Sequence, residues 1–149
     1  MRRERGFTLV ELLVVFAIFG LLIGLAPVAY QKLRESSQYR DVLRTMTADM
    51  RTARQQAMAA RSEVRFTVDL RQRRYGVEGR PGRDIPESLQ VRANVAGIEL
   101  DPQGVAAIRF LPDGGATGGS IDLARPTGGG VRLRVDWLSG QITQEALVR

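Results

Sequence analysis

From Leu12 to Tyr30 the chain runs 19 residues without a charge, and this stretch limits its fold more than any other feature. A helix of that length spans about 28 Å, close to the ~30 Å hydrocarbon core of a bilayer. Extended back to residue 7 the segment reads FTLVELLVVFAIFGLLIGLAPVAY. An all-apolar helix of this kind calls for lipid or other apolar helices on every side. A cleaved secretory signal fits it poorly. Such a signal ends its apolar stretch at a small-residue cleavage site, whereas here Pro27 follows Ala26, and Gln31 to Arg34 leads straight into a second helical pattern. A plain anchor fits poorly too, because an acid, Glu11, sits inside the apolar run. A charge at the centre of a bilayer costs ~2.5–3.5 kcal/mol on insertion scales, so a retained one points to function.

The run Gly6-Phe7-Thr8-Leu9-Val10-Glu11 resembles the processing signal of type IV pilins and type II secretion pseudopilins. The resemblance implies that a prepilin peptidase cuts between Gly6 and Phe7, leaving residues 1–6 as leader, and that the new Phe7 amine is methylated. It implies residues 7–30 as a helix that first spans the membrane and then forms the filament core. It also implies Glu11 as the filament-assembly residue, neutralised by the Phe7 ammonium of a neighbouring subunit. Burial explains the need for such a partner, since an unpaired buried carboxylate costs several kcal/mol.

Gly20 and Gly24 form a G-x-x-x-G spacing that permits close helix approach, although glycine is common in membrane helices for other reasons. Pro27 removes a backbone donor, so a kink or loosening is expected near Ile23 to Pro27. Arg2, Arg3 and Arg5 precede the segment, while Lys32, Arg34, Arg40 and Arg44 follow it. That charge bias does not set an orientation, but long domains translocate largely regardless of charge.

Residues 31–62 are amphipathic: Leu43, Met46, Met50, Ala53, Ala57 and Ala60 recur at steps of three and four, one stripe of a helix. Small residues on that stripe predict close packing beneath a sheet. From Glu63 the period becomes two. Val64, Phe66 and Val68 alternate with polar neighbours, and with Tyr75 and Val77 they predict a hairpin over 63–79. Residues 80–87 hold two prolines and a glycine and read as loop. Further strands are expected around Leu89–Val95, Val105–Leu111, Ile121–Leu123, Val131–Trp137 and Gln141–Leu147, with Ser139-Gly140 as a two-residue turn. The expectation is α+β: one long N-terminal helix packed on an antiparallel sheet of roughly seven strands.

Composition narrows the chemistry. There is no cysteine and no histidine, which removes disulfides, zinc sites, thiol nucleophiles and His-based triads. Neither glycine-rich stretch, 112–120 or 127–131, has the G-x-x-x-x-G-K-[ST] pattern of a phosphate loop. Asp113 and Asp122 lack the dense oxygen-ligand spacing of a calcium site. No catalytic residue, metal or cofactor is expected. The formal charge is +6, and every basic residue except Lys32 is arginine. An excess of that size does not imply nucleic acid.

Three distal segments carry a narrower likeness: Met50 to Ala57, Ile108 to Gly114 with Gly118-Gly119, and Val135 to Gly140. They resemble the GspH/FimT group of minor pilins, and the third resembles the closing hairpin of its secretion branch. The resemblance implies a pilin-like periplasmic domain over residues 31–149, with its helix over 31–62 and a β-rich part over 63–149, held in the bacterial inner membrane by a single pass. The implied partners are the major pseudopilin G, the minor pseudopilins I, J and K, the prepilin peptidase and exported proteins. The other branch, FimT/FimU-like minor pilins of pilus assembly and DNA uptake, relies on a C-terminal Gly-Arg-x-Arg element. The matching place here, Gly140-Gln141-Ile142-Thr143, lacks both arginines, which argues against a nucleic-acid partner.

Overall fold

The computed structural model describes residues 8–95, 104–126 and 128–147, and over 25–33 only the helical backbone. Two compact units make up the chain, Met1–Ser37 and Gln38–Arg149.

Helix α1 runs from Leu9 to Ala60, 52 residues, and its helical backbone continues through Pro27 although proline has no N–H to donate there. Its start has a chemical reason. The Thr8 hydroxyl oxygen accepts a hydrogen bond from the Glu11 backbone N–H at 3.3 Å, and the Thr8 carbonyl accepts from Leu12 N at 3.2 Å. Thr8 is therefore the N-cap, and Glu11 occupies the third helical position of a T-x-x-E cap. Leu9 to Gly24 are exposed all round the helix in the isolated chain. Among the described residues no helix is long and apolar enough to cross a membrane. Within the 7–30 segment the side chains described are those of residues 8–24.

In the second unit α1 lays one stripe into the core. Tyr39, Val42, Met46, Met50, Ala53 and Ala57 are buried, Leu43 is half-buried and Ala60 is exposed. The expected stripe thus shifts one turn toward the N-terminus. Eight strands follow: β1 (Val64–Asp69), β2 (Arg74–Val77), β3 (Arg83–Asp84), β4 (Gln90–Val95), β5 (Val105–Phe110), β6 (Gly119–Ala124), β7 (Gly130–Val135) and β8 (Ile142–Leu147). They form two antiparallel sheets rather than one, ordered β3-β2-β1-β5 and β4-β6-β7-β8. The α+β expectation and the hairpin over 63–79 are seen. The stretch read as loop, 80–87, contains the two-residue edge strand β3, which pairs Arg74 with Asp84 and Tyr75 with Arg83.

One core joins both sheets and the helix. Phe66, Ile108 and Phe110 enter from the first sheet, and Ile121, Leu123 and Leu133 from the second, onto Met46 and Met50. Each fully buried side chain of this size is worth ~1.5–3 kcal/mol, so burial dominates the stability of the unit. Polar links fix the alignment. The Thr45 and Tyr75 hydroxyls share a hydrogen bond, Gln144 Nε2 donates to Thr47 Oγ1 at 3.3 Å, and the Arg125 guanidinium lies 5.1 Å from the Tyr39 ring centroid, a cation–π contact. Burial pushes the hydroxyl pKa of both tyrosines up, opposed at Tyr39 by Arg125 and at Tyr75 chiefly by the Thr45 hydrogen bond.

The arginines between 71 and 83 are largely structural. Arg73 Nη2 donates to the Pro86 and Leu89 carbonyls, both at 2.7 Å. Arg74 pairs with Asp84 and Arg83 with Asp49, and Arg80 reaches Gln56.

Candidate functional site

Two places gather the residues singled out in the sequence. The first is the start of α1. Gly6 and Phe7 lie outside the described residues. Glu11 is exposed in the first helical turn, where a carboxylate is favoured by the helix dipole. Gly20 and Gly24 are exposed, and a Cβ at either would meet nothing within 4 Å. That face is open for a close neighbour. Pro27 belongs to the helical backbone, and its side chain is outside the described set.

The second place was visible in the sequence only as three separate motifs. The Nε–H of Arg54, on α1, is shared between the Gly114 carbonyl at 3.0 Å and the Ser139 carbonyl at 3.1 Å. Arg54 thereby ties the helix to the β5–β6 turn and to the β7–β8 turn. The two turns also bond to each other, because Ala116 N donates to the Trp137 carbonyl at 2.9 Å. Gly140 closes the arrangement: its φ is +62°, and a Cβ there would overlap the Gly114 carbonyl oxygen and stand 2.9 Å from Arg54 Nε. Only glycine fits without displacing a neighbour.

Asp136 shapes the β7–β8 turn. Its Oδ1 accepts from Leu138 N at 3.1 Å, from Ser139 N at 2.8 Å and from Ser139 Oγ at 2.8 Å. The Ser139 bonds, backbone and side chain, are the main reason its pKa is lowered. The connection is therefore an Asp-capped turn over 136–141, and Gly140 N bonds back to the Asp136 carbonyl at 2.9 Å. The expected two-residue Ser139-Gly140 turn is corrected accordingly. Trp137 leaves the strand and stands 67% exposed, beside Leu138 at 71%. A rigid turn thus presents two adjacent apolar side chains to solvent.

Asp113 and Asp122 have structural roles. Asp113 Oδ1 accepts from Gly115 N at 2.9 Å. Asp122 takes a two-pronged bond from Arg132, at 2.7 and 2.8 Å. Among the described residues no three potential metal-ligating side chains cluster. In the sequence Arg54 reads as one of the helix arginines on a solvated face and as part of the Met50 to Ala57 motif. Nothing local distinguishes it from Arg51, because its partners are 60 and 85 residues away.

An apolar helix capped at Thr8, continuing into an α+β unit with a clasped C-terminal hairpin, defines a pilin-like protein. Comparison with known proteins agrees. Residues 1–27 match the prokaryotic N-terminal methylation motif, and residues 43–140 match the family Type II transport protein GspH. The chain is 36% identical to the type II secretion system protein H of Xanthomonas campestris pv. campestris over 143 residues, 95% of this chain and 83% of that protein. The fold is similar to that of the minor pseudopilin EpsH from the type 2 secretion system of Vibrio cholerae. That match has a TM-score of 0.56 at 14% identity and covers 73% of this chain and 97% of the other. The chain belongs to the GspH family of type II transport proteins.

Proposed function

We propose that the chain is a structural, non-catalytic minor pseudopilin of a type II secretion system, built into a periplasmic pseudopilus near its tip. The observation that carries this reading is the helix face from Leu9 to Ile23, apolar on every side and interrupted by Glu11 alone. Water does not stabilise such a surface, so it is stable only in lipid or against other apolar helices. The two environments correspond to two stages. Before assembly the segment is a single inner-membrane pass with the C-terminal unit in the periplasm. After assembly it lies among the helices of the major pseudopilin G and the minor pseudopilins I, J and K.

In this reading the prepilin peptidase cuts between Gly6 and Phe7, and Phe7 becomes a methylated ammonium. That cation neutralises the Glu11 carboxylate of a neighbour once water is excluded. Gly20 and Gly24 let helices approach, and Pro27 leaves a place where the packed helix can bend. Exported proteins meet the assembled tip.

Mass spectrometry of protein purified from its own membranes tests the processing step. The expected N-terminus is methylated Phe7. An intact Met1 start, or trimming beyond Tyr30, would overturn the reading. Cross-linking in cells that carry secretion components should trap the chain with other pseudopilins, whereas trapping with pilus subunits only would assign it to the pilus branch.

A further inference from the structure

The outer face of the second sheet ends in a groove of about 580 Å³ that borders the β7–β8 turn. Its volume falls in the ~300–1,000 Å³ range of small-molecule sites. Two glycines in its wall are closely approached by their neighbours. A Cβ on Gly118 would stand 3.1 Å from the Trp137 Cβ, and one on Gly119 2.9 Å from the Asn94 carbonyl oxygen. Asn94 and Ser120 face each other across the β4–β6 register, and Arg134, Asp136 and the exposed Trp137 complete the border.

The charges indicate what class of ligand such a groove takes. Arg132 is held by both oxygens of Asp122, and Arg134 lies 3.6 Å from Glu145. Each groove arginine has a carboxylate of its own, so no uncompensated positive charge is left to hold a phosphate. Asp136 spends Oδ1 on the turn, and its Oδ2 has no intramolecular partner among the described residues. What remains is an amide, a hydroxyl, a guanidinium and a carboxylate oxygen, able to exchange hydrogen bonds beside one exposed indole. A sugar ring matches that set: its hydroxyls donate and accept around the rim, and its C–H face is apolar and stacks on an aromatic. We propose that this groove binds a neutral oligosaccharide, with one ring stacked on Trp137 and its hydroxyls bonded to Asn94, Arg134 and Asp136 Oδ2. This site goes beyond the filament role and does not depend on it.

Trp137 is the only tryptophan, so its emission reports this groove specifically. The full chain, in a detergent without a sugar headgroup, is titrated with chitotetraose and with cellotetraose. These two probes separate N-acetylated cell-wall-type sugars from plain glucans. A saturable emission change with at least one of them is expected, half-maximal near ~1 mM and insensitive to salt because the ligand is uncharged. Asn94→Ala and Arg134→Ala should each weaken binding about fivefold or more, the loss of one hydrogen bond, with circular dichroism unchanged. By calorimetry Trp137→Ala should abolish binding, whereas Leu138→Ala, exposed to the same degree but outside the groove, should leave it intact. No emission change with either sugar at ~10 mM, or binding that survives Trp137→Ala, overturns the proposal. An emission shift that follows protein concentration and ignores sugar also overturns it and makes this tip a contact between copies.

Discussion

The Nε–H of Arg54 points from α1 to the carbonyl of Gly114, 3.0 Å away, and bonds the Ser139 carbonyl at 3.1 Å as well. One guanidinium thereby anchors two turns that no sheet hydrogen bond connects to the helix. Arg54→Ala should lower stability by ~1.5–3 kcal/mol, the range for hydrogen bonds to a charged group. Arg54→Lys should recover little of it, because a lysine lacks the rigid planar fork. Thermal unfolding of the two variants is the check, and equal stability of wild type and alanine variant would show that the clasp contributes nothing.

Gly140 makes the closest approach in the same clasp. Gly140→Ala puts a methyl group against the Gly114 carbonyl and holds a non-glycine residue at φ +62°. A loss of ~1–3 kcal/mol is expected from backbone strain of this kind, with added displacement of Arg54. Gly20→Ala is the contrast: its Cβ has open space, and alanine favours helix by ~0.5–1 kcal/mol. The isolated chain should be slightly stabilised, while incorporation into a pseudopilus should fall if that face packs closely.

Thr8 and Glu11 separate capping from assembly. Thr8→Ala removes the cap on α1 and should cost ~1 kcal/mol of first-turn stability, read as faster amide exchange near Leu9 to Leu12. Glu11→Gln keeps the third-position side chain of the cap but cannot pair with an ammonium. It should insert and be cleaved normally and yet incorporate poorly. Normal incorporation of Glu11→Gln would reduce Glu11 to a capping residue.

The Asp136 turn sets a pH dependence. Its folded pKa is lowered, chiefly by the Ser139 hydrogen bonds, so the unfolded chain binds the proton more tightly. Its contribution is complete above the unfolded value of about 3.9 and is lost as pH falls through the folded value. The indole emission of Trp137, next in the chain, should stay constant from neutral pH down to about 4 and change below it. Asp136→Asn, which keeps an acceptor oxygen, should flatten that transition, and an unchanged acid limb in the variant would assign it elsewhere.

At high pH the sign reverses. Burial raises the folded pKa of Tyr75, so its contribution is present below the unfolded value near 10 and disappears as pH rises through the folded value. Tyr75→Phe should lose the shared Thr45 hydrogen bond, about 1 kcal/mol, and shift the start of alkaline unfolding upward.

The sequence alone determined whatever is written in contiguous residues. A run without charge from Leu12 to Tyr30, an acid at Glu11 inside the apolar segment, a period of 3.6 through Met46 and Met50, and a period of 2 from Val64 each reflect short-range geometry. From these the long helix, the antiparallel strands and the family likeness could be read before any coordinates. The tertiary structure decided the rest. The division of the strands into two sheets depends on which edges meet, and β3 is too short to show a period. The roles of Arg54, Arg73 and Gly140 depend on backbone carbonyls and side chains brought close only when the turns fold onto α1. A carbonyl acceptor is present at every position and leaves no mark in the sequence, so a bond from Arg54 to a residue 85 positions away becomes visible only in the folded chain.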